Sequence, residues 1–156
     1  MPEFKNLNII GVGPSVQIKE KCYSIDEVYN AVKEHLFDSV DLQRKSKKRT
    51  KHSVETRKRV ILDGDEVKAN SQRLQLFFSK GVNCIHCGTK GKFFLKCKHK
   101  GDGHYHMELI GQDKNGQLVL MTKDHIVPKS KGGRDVLENY QTMCTVCNCK
   151  KGNSTT

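Results

Sequence analysis

Residues 124–152, DHIVPKSKGGRDVLENYQTMCTVCNCKKG, decide the reading of this chain. An Asp-His pair closes an apolar run, a Gly-Gly turn follows, and then come an Asn, a Cys-x-x-Cys pair and a second Asn directly after its last Cys. Upstream, Cys84-Ile85-His86-Cys87 supplies a matching pair. Two residues between thiols let one tight turn aim both sulfurs at a single point, and two such turns complete a tetrahedron. The spacing therefore predicts a zinc ion held by Cys84, Cys87, Cys144 and Cys147. Such a site has no open coordination position, so it is structural and any chemistry must come from other groups.

Composition agrees with a metal-supported domain. Of 156 residues, 35% are apolar and none is Trp, a thin supply for a large core that a structural metal offsets. The seven cysteines are an odd number, and no secretory leader is evident in MPEFKNLNIIGVG. Thiolates on a metal in a reducing, cytoplasmic setting are the expectation, rather than a disulfide framework. No run of apolar residues is long enough for a membrane helix. Cys22, Cys97 and Cys149 are left over; Cys97, His99, His104 and His106 offer donors for a second metal, but their loop also reads as a polar hairpin tip.

The formal net charge is +11, which favours a polyanionic partner. Most of it sits in one block. Between residues 44 and 59, nine Lys or Arg stand against one Glu: Arg44, Lys45, Lys47, Lys48, Arg49, Lys51, Arg57, Lys58 and Arg59. Such a block suits an arm that contacts phosphates without choosing sequence. Lys129, Lys131, Arg134, Lys150 and Lys151 are further candidate phosphate contacts.

Ser24-Ile25-Asp26-Glu27 has the form of a capping box, and the apolar spacing of Val28, Ala31, Val32, Leu36 and Phe37 predicts a helix over 25–40. Residues 60–62 read as a short strand before an Asp-Gly turn. Asn70 or Ser71 caps a helix that stops at Gly81 and feeds into Cys84. From 93 to 127 the pattern is of strands, with an Asn-Gly hairpin signal at 113–116.

Among these residues, Asp124, His125 and Asn148 are the types that phosphodiester hydrolysis needs. Imidazole is a base near neutral pH, and the oxygens of Asp124 and Asn148 suit a hard divalent ion, Mg²⁺ or Mn²⁺.

The pattern DHIVPKSKGG…EN…C-x-x-CN…KG resembles the HNH nuclease family, with its ββα-metal finger, in the version supported by a four-cysteine zinc. The resemblance covers residues 84–152. It implies an α+β fold: a zinc-stapled nuclease domain over 61–156, with residues 1–60 as a helical and basic appendage. It implies metal-dependent cleavage of double-stranded DNA, with His125 polarising water and Asp124 and Asn148 holding the catalytic ion. Asn139 would tie the loop to the second strand and orient His125. The third family letter is often His; here it is Asn148. On this scheme 117–127 is the first strand, 129–135 the loop, 139–144 the second strand, and 145–153 opens the helix. Adjacent strand residues face opposite ways, so Asp124 and His125 require the strand to bend or end between them if both are to face one cavity. The rival reading is a zinc module that binds nucleic acid without cutting it. It accounts for the charge and the cysteines but leaves Asp124, His125, Asn139 and Asn148 without a role.

Overall fold

In the computed structural model, which describes residues 7–38 and 58–154, the chain is α+β. The strands are β1 (Ile9–Ile10), β2 (Gln17–Tyr23), β3 (Arg59–Leu62), β4 (Asp65–Lys68), β5 (Lys90–Lys98), β6 (His106–Gln112), β7 (Leu118–His125) and β8 (Tyr140–Cys144). The helices are α1 (Ile25–Val32), α2 (Gln72–Lys80) and α3 (Thr145–Lys151). A six-stranded sheet runs in the order β1-β7-β6-β5-β2, with β8 pairing the far end of β7; β3 and β4 form a separate hairpin. All pairings in the large sheet are antiparallel except β1 with β7.

The sheet is covered on both faces, so its central strands are buried over consecutive residues rather than at alternate ones. Met107, Leu109 and Ile110 of β6 and Phe94, Leu95 and Cys97 of β5 are all buried. One face packs against α1, α2 and the β3–β4 hairpin around Val28, Leu74, Phe77, Phe94, Leu109 and Met121. The other holds a smaller cluster of Ile9, Leu95, Cys97 and Ile110. Lys96 is buried to 1% exposure, with its ammonium held by the Leu62 carbonyl at 2.6 Å and the Asp65 carboxylate at 3.0 Å. A buried cation is tolerated only when paired in this way.

Local signals translate as expected at several turns. The Ser24 hydroxyl accepts from the Glu27 N–H, and the Glu27 carboxylate accepts from the Ser24 N–H, which completes the capping box. Ser71 caps α2 through the Leu74 N–H, and Gly81 ends it at φ 114°. Asp63 and Gly64, at φ 48° and 80°, make the tight turn between β3 and β4.

Two expectations change. The helix expected over 25–40 ends at Val32; His35 bonds to the Val32 carbonyl and Asp38 to that of His35, so the chain tightens to single turns while Leu36 stays buried. Residues 7–38 are not an appendage set apart at residue 60. β1 and β2 are strands of the same sheet, and Tyr23, Val28 and Val32 belong to its core. Of the basic arm, Arg44, Lys45, Lys47, Lys48, Arg49, Lys51 and Arg57 lie outside the described residues. Lys58 and Arg59 lead into β3, where the Lys58 N–H donates to Asn70 and Arg59 pairs with Glu66.

Candidate active site and metal centre

The four sulfurs predicted to bind zinc lie within 4.8 Å of one another, and Cys87 and Cys144 are 3.8 Å apart. Four thiolates at about 2.3 Å from a common zinc would sit about 3.8 Å apart, so the donor set and its spacing fit that ion. Each knuckle is pinned by backbone. The Gly88 N–H donates to the Cys84 carbonyl, the Ile85 N–H to Thr142 on β8, and the Cys84 N–H to Thr89. Cys144 is the last residue of β8 and caps α3 by accepting from the Cys147 N–H at 3.4 Å. Burial opposes ionisation of Cys87, but hydrogen bonds from the Thr89 side chain and backbone outweigh it and bring the thiol down to about 6. Among the described residues this is the group of His, Cys, Asp or Glu side chains drawn close enough for a metal; Cys97, His99, His104 and His106 do not form such a group. Burial and the Glu108 carboxylate push the Cys97 thiol up to about 12, which keeps it protonated.

β7, β8 and α3 make a ββα unit around this cluster. Cys147 and Asn148 are about 100° apart on α3. Cys147 is buried at the sulfur cluster, while the Asn148 amide donates to the Thr122 hydroxyl on β7 at 2.9 Å. Thr122 and Asp124, two apart on the strand, share that face. The Asp124 carboxylate is 6% exposed and takes the Lys151 ammonium at 3.0 Å and the Gln141 amide at 2.9 Å, both on Oδ2. Lys151 also donates to the His125 carbonyl at 2.8 Å. It is therefore an internal clamp between α3 and the end of β7, not the surface phosphate contact expected of it.

β7 stays regular through its last residue, pairing Asp124 with Gln141 and His125 with Tyr140. His125 accordingly turns away from Asp124. Its ring meets the Tyr140 ring edge-on at 5.0 Å, and its Nε2 lies 2.7 Å from Oδ1 of Asp135. The structure thus brings Asp124 and Asn148 to one face of the hairpin and sets His125 on the other, at the strand's end. Asp135 was not singled out from the sequence. It sits in the loop with Lys129, whose ammonium is 2.7 Å from the second carboxylate oxygen. Lys129 and then His125 hold the Asp135 carboxyl down at about 2. That contribution to stability is present above the ordinary carboxyl range and is lost only as pH falls from about 4 through about 2.

The loop between β7 and β8 is built around Asn139. Its carbonyl oxygen accepts from the Val127 N–H at 2.9 Å; its amide donates to the Val127 carbonyl at 3.0 Å and the Arg134 carbonyl at 2.9 Å. Gly133 lies so close to the Val127 carbonyl that an added Cβ would stand 1.7 Å from its oxygen. Asn139→Ala and Gly133→Ala are each expected to cost about 1–3 kcal/mol, the first through unmet backbone groups and the second through overlap. Thermal unfolding of both variants measures this; unchanged midpoints would show that the loop does not depend on these contacts. Lys129, Lys131, Arg134 and Lys150 are exposed, as phosphate contacts must be.

No curated protein and no solved structure matches this chain. Residues 112–156 match the family model described as HNH endonuclease, so the hairpin and helix that carry Asp124, His125, Asn139 and Asn148 lie in an HNH-type segment.

Proposed function

We propose that this protein is a metal-dependent endonuclease that hydrolyses phosphodiester bonds of double-stranded DNA. The observation that carries this reading is the family match over the segment in which a structural sulfur cluster fixes a ββα unit bearing Asp124, His125, Asn139 and Asn148. Asp124 and Asn148 offer hard oxygen donors on one face of the hairpin, and both hydrogen bonds to Asp124 fall on Oδ2, which leaves Oδ1 for a cation. A Mg²⁺ or Mn²⁺ ion held there would offset the charge that builds on the phosphate and on the departing sugar oxygen.

His125 acts as the general base. An ionised Asp135 can only accept a hydrogen bond, so Nε2 carries the proton and Nδ1 presents its lone pair. For one phosphate to meet groups on both faces, it must lie across the end of β7, where the strand stops. There Nδ1 takes a proton from water, whose oxygen attacks phosphorus. The P–O3′ bond breaks, the 3′ oxygen is protonated from solvent, and the products are a 5′-phosphate and a 3′-hydroxyl.

Asp135→Asn replaces a permanent acceptor with a group able to donate, which frees the imidazole to adopt the other tautomer. We expect kcat to fall about 10- to 100-fold with little change in KM. An unaltered kcat would remove Asp135 from the reaction. The basic test is nicking of a supercoiled plasmid with Mg²⁺ or Mn²⁺, with and without EDTA. The ion pair between Lys151 and Asp124 favours the rival reading, a zinc module that binds DNA without cutting it. Binding with no cut product under any divalent ion would establish that rival.

A further inference from the structure

β6 and β7 are paired only over Ile110–Gln112 and Leu118–Leu120; beyond Leu120, β7 takes β8 as its partner. The two strands therefore fork, and the first turn of α2 is wedged between them. Arg73 reaches Glu108 on β6 at 2.8 Å, and the Lys123 ammonium on β7 donates to Gln72 at 2.7 Å. At the mouth of this fork is a cleft of about 330 Å³, whose lining includes Lys68, Gln72, Arg73, His106, Thr122 and Lys123.

We infer that this cleft holds a backbone phosphate, with its sugar, of the substrate strand beside the bond to be cut. The inference rests on the nuclease reading for the identity of that strand. Lys68 and Lys123 bring cationic side chains to the cleft, and the third cation there, Arg73, is paired with the buried Glu108. The positive end of α2 adds to the same potential. The volume is at the low end of small-ligand sites, about 300–1,000 Å³, large enough for a nucleotide unit. The cleft also touches both halves of the candidate active site. Thr122 accepts the Asn148 amide, and Gln72 accepts from Tyr140, whose ring lies against His125. None of these cations belongs to the basic arm or to the loop after β7, so the strand would be gripped by residues outside the family-matching segment as well as within it.

The test measures binding of a short DNA duplex by full-length, zinc-loaded protein carrying His125→Ala, over a range of salt concentrations in Mg²⁺. Lys68→Ala removes a cation at the rim; Lys123→Met removes the ammonium that stands over the Tyr140 ring but keeps a side chain of similar length. Each is expected to weaken binding to all sequences alike and to lower the slope of log affinity against log salt by about 0.9. Lys114→Ala, at the exposed tip of the β6–β7 hairpin, is expected to leave the slope unchanged. Unchanged slopes for both Lys68→Ala and Lys123→Met overturn the inference, even where the wild-type protein cuts DNA. Reduced slopes, where the protein with His125 intact cuts nothing under any divalent ion, uphold the cleft and overturn the nuclease reading instead.

Discussion

Replacing His125 with Ala is expected to abolish plasmid nicking in Mg²⁺ or Mn²⁺, lowering the rate by about 10²–10⁴-fold, while duplex binding and zinc content stay at wild-type levels. The separation is expected because the imidazole is not what holds the loop. Asp135 keeps Lys129, the backbone pairing of β7 with β8 is untouched, and Asn139 still bridges Val127 and Arg134. Wild-type cleavage by His125→Ala would end the proposal that this residue is the base. A matched loss of cleavage, binding and thermal stability would reassign it to structure.

Removal of the zinc ion that we propose for the sulfur cluster should have the largest effect on the protein as a whole. Cys84, Cys144 and Cys147 belong to the same core as Leu74, Phe77 and Met121, and they tie the loop after α2 to β8 and α3. Without a cation, four converging sulfurs would have to be accommodated among these side chains with nothing to bridge them. Structural zinc contributes about 10–16 kcal/mol of apparent binding free energy near neutral pH, comparable to or larger than the stability of a domain. A strong chelator is therefore expected to melt the ββα unit, measured as loss of circular dichroism with release of one zinc per chain. Cys87→Ser should lower the midpoint steeply. Acid acts in the same direction, because each thiolate must be deprotonated to bind. A protein that keeps its fold and activity after complete chelation would show that the cluster is dispensable.

Much of this arrangement could be read from the sequence because it rests on short-range chemistry. The knuckles, the Ser24 and Ser71 caps, the Gly81 stop and the hairpin turn at 113–116 all depend on residues a few positions apart. What escaped depends on distant partners. β2 carries Lys19, Glu20 and Lys21 on an edge with a register shift, so no alternating apolar pattern announces it; its place is set by pairing with β5. Lys151 looks like surface charge until Asp124 and the His125 carbonyl are found around its ammonium. Asp135 is an ordinary loop acid in the sequence, and only the curl of the loop sets it against His125. The orientation of Asp124 and His125 followed from strand geometry, but β7 keeps its pleat to the end instead of bending.

Two of the four sulfur hooks, Cys84 and Cys87, precede the segment that matches the nuclease family. A chimera transplanting only 112–156 into another scaffold would inherit half a coordination sphere and lose the Ile85 tether to Thr142. Transferring the proposed activity would require the upstream knuckle as well, delivered at the same height beside β8.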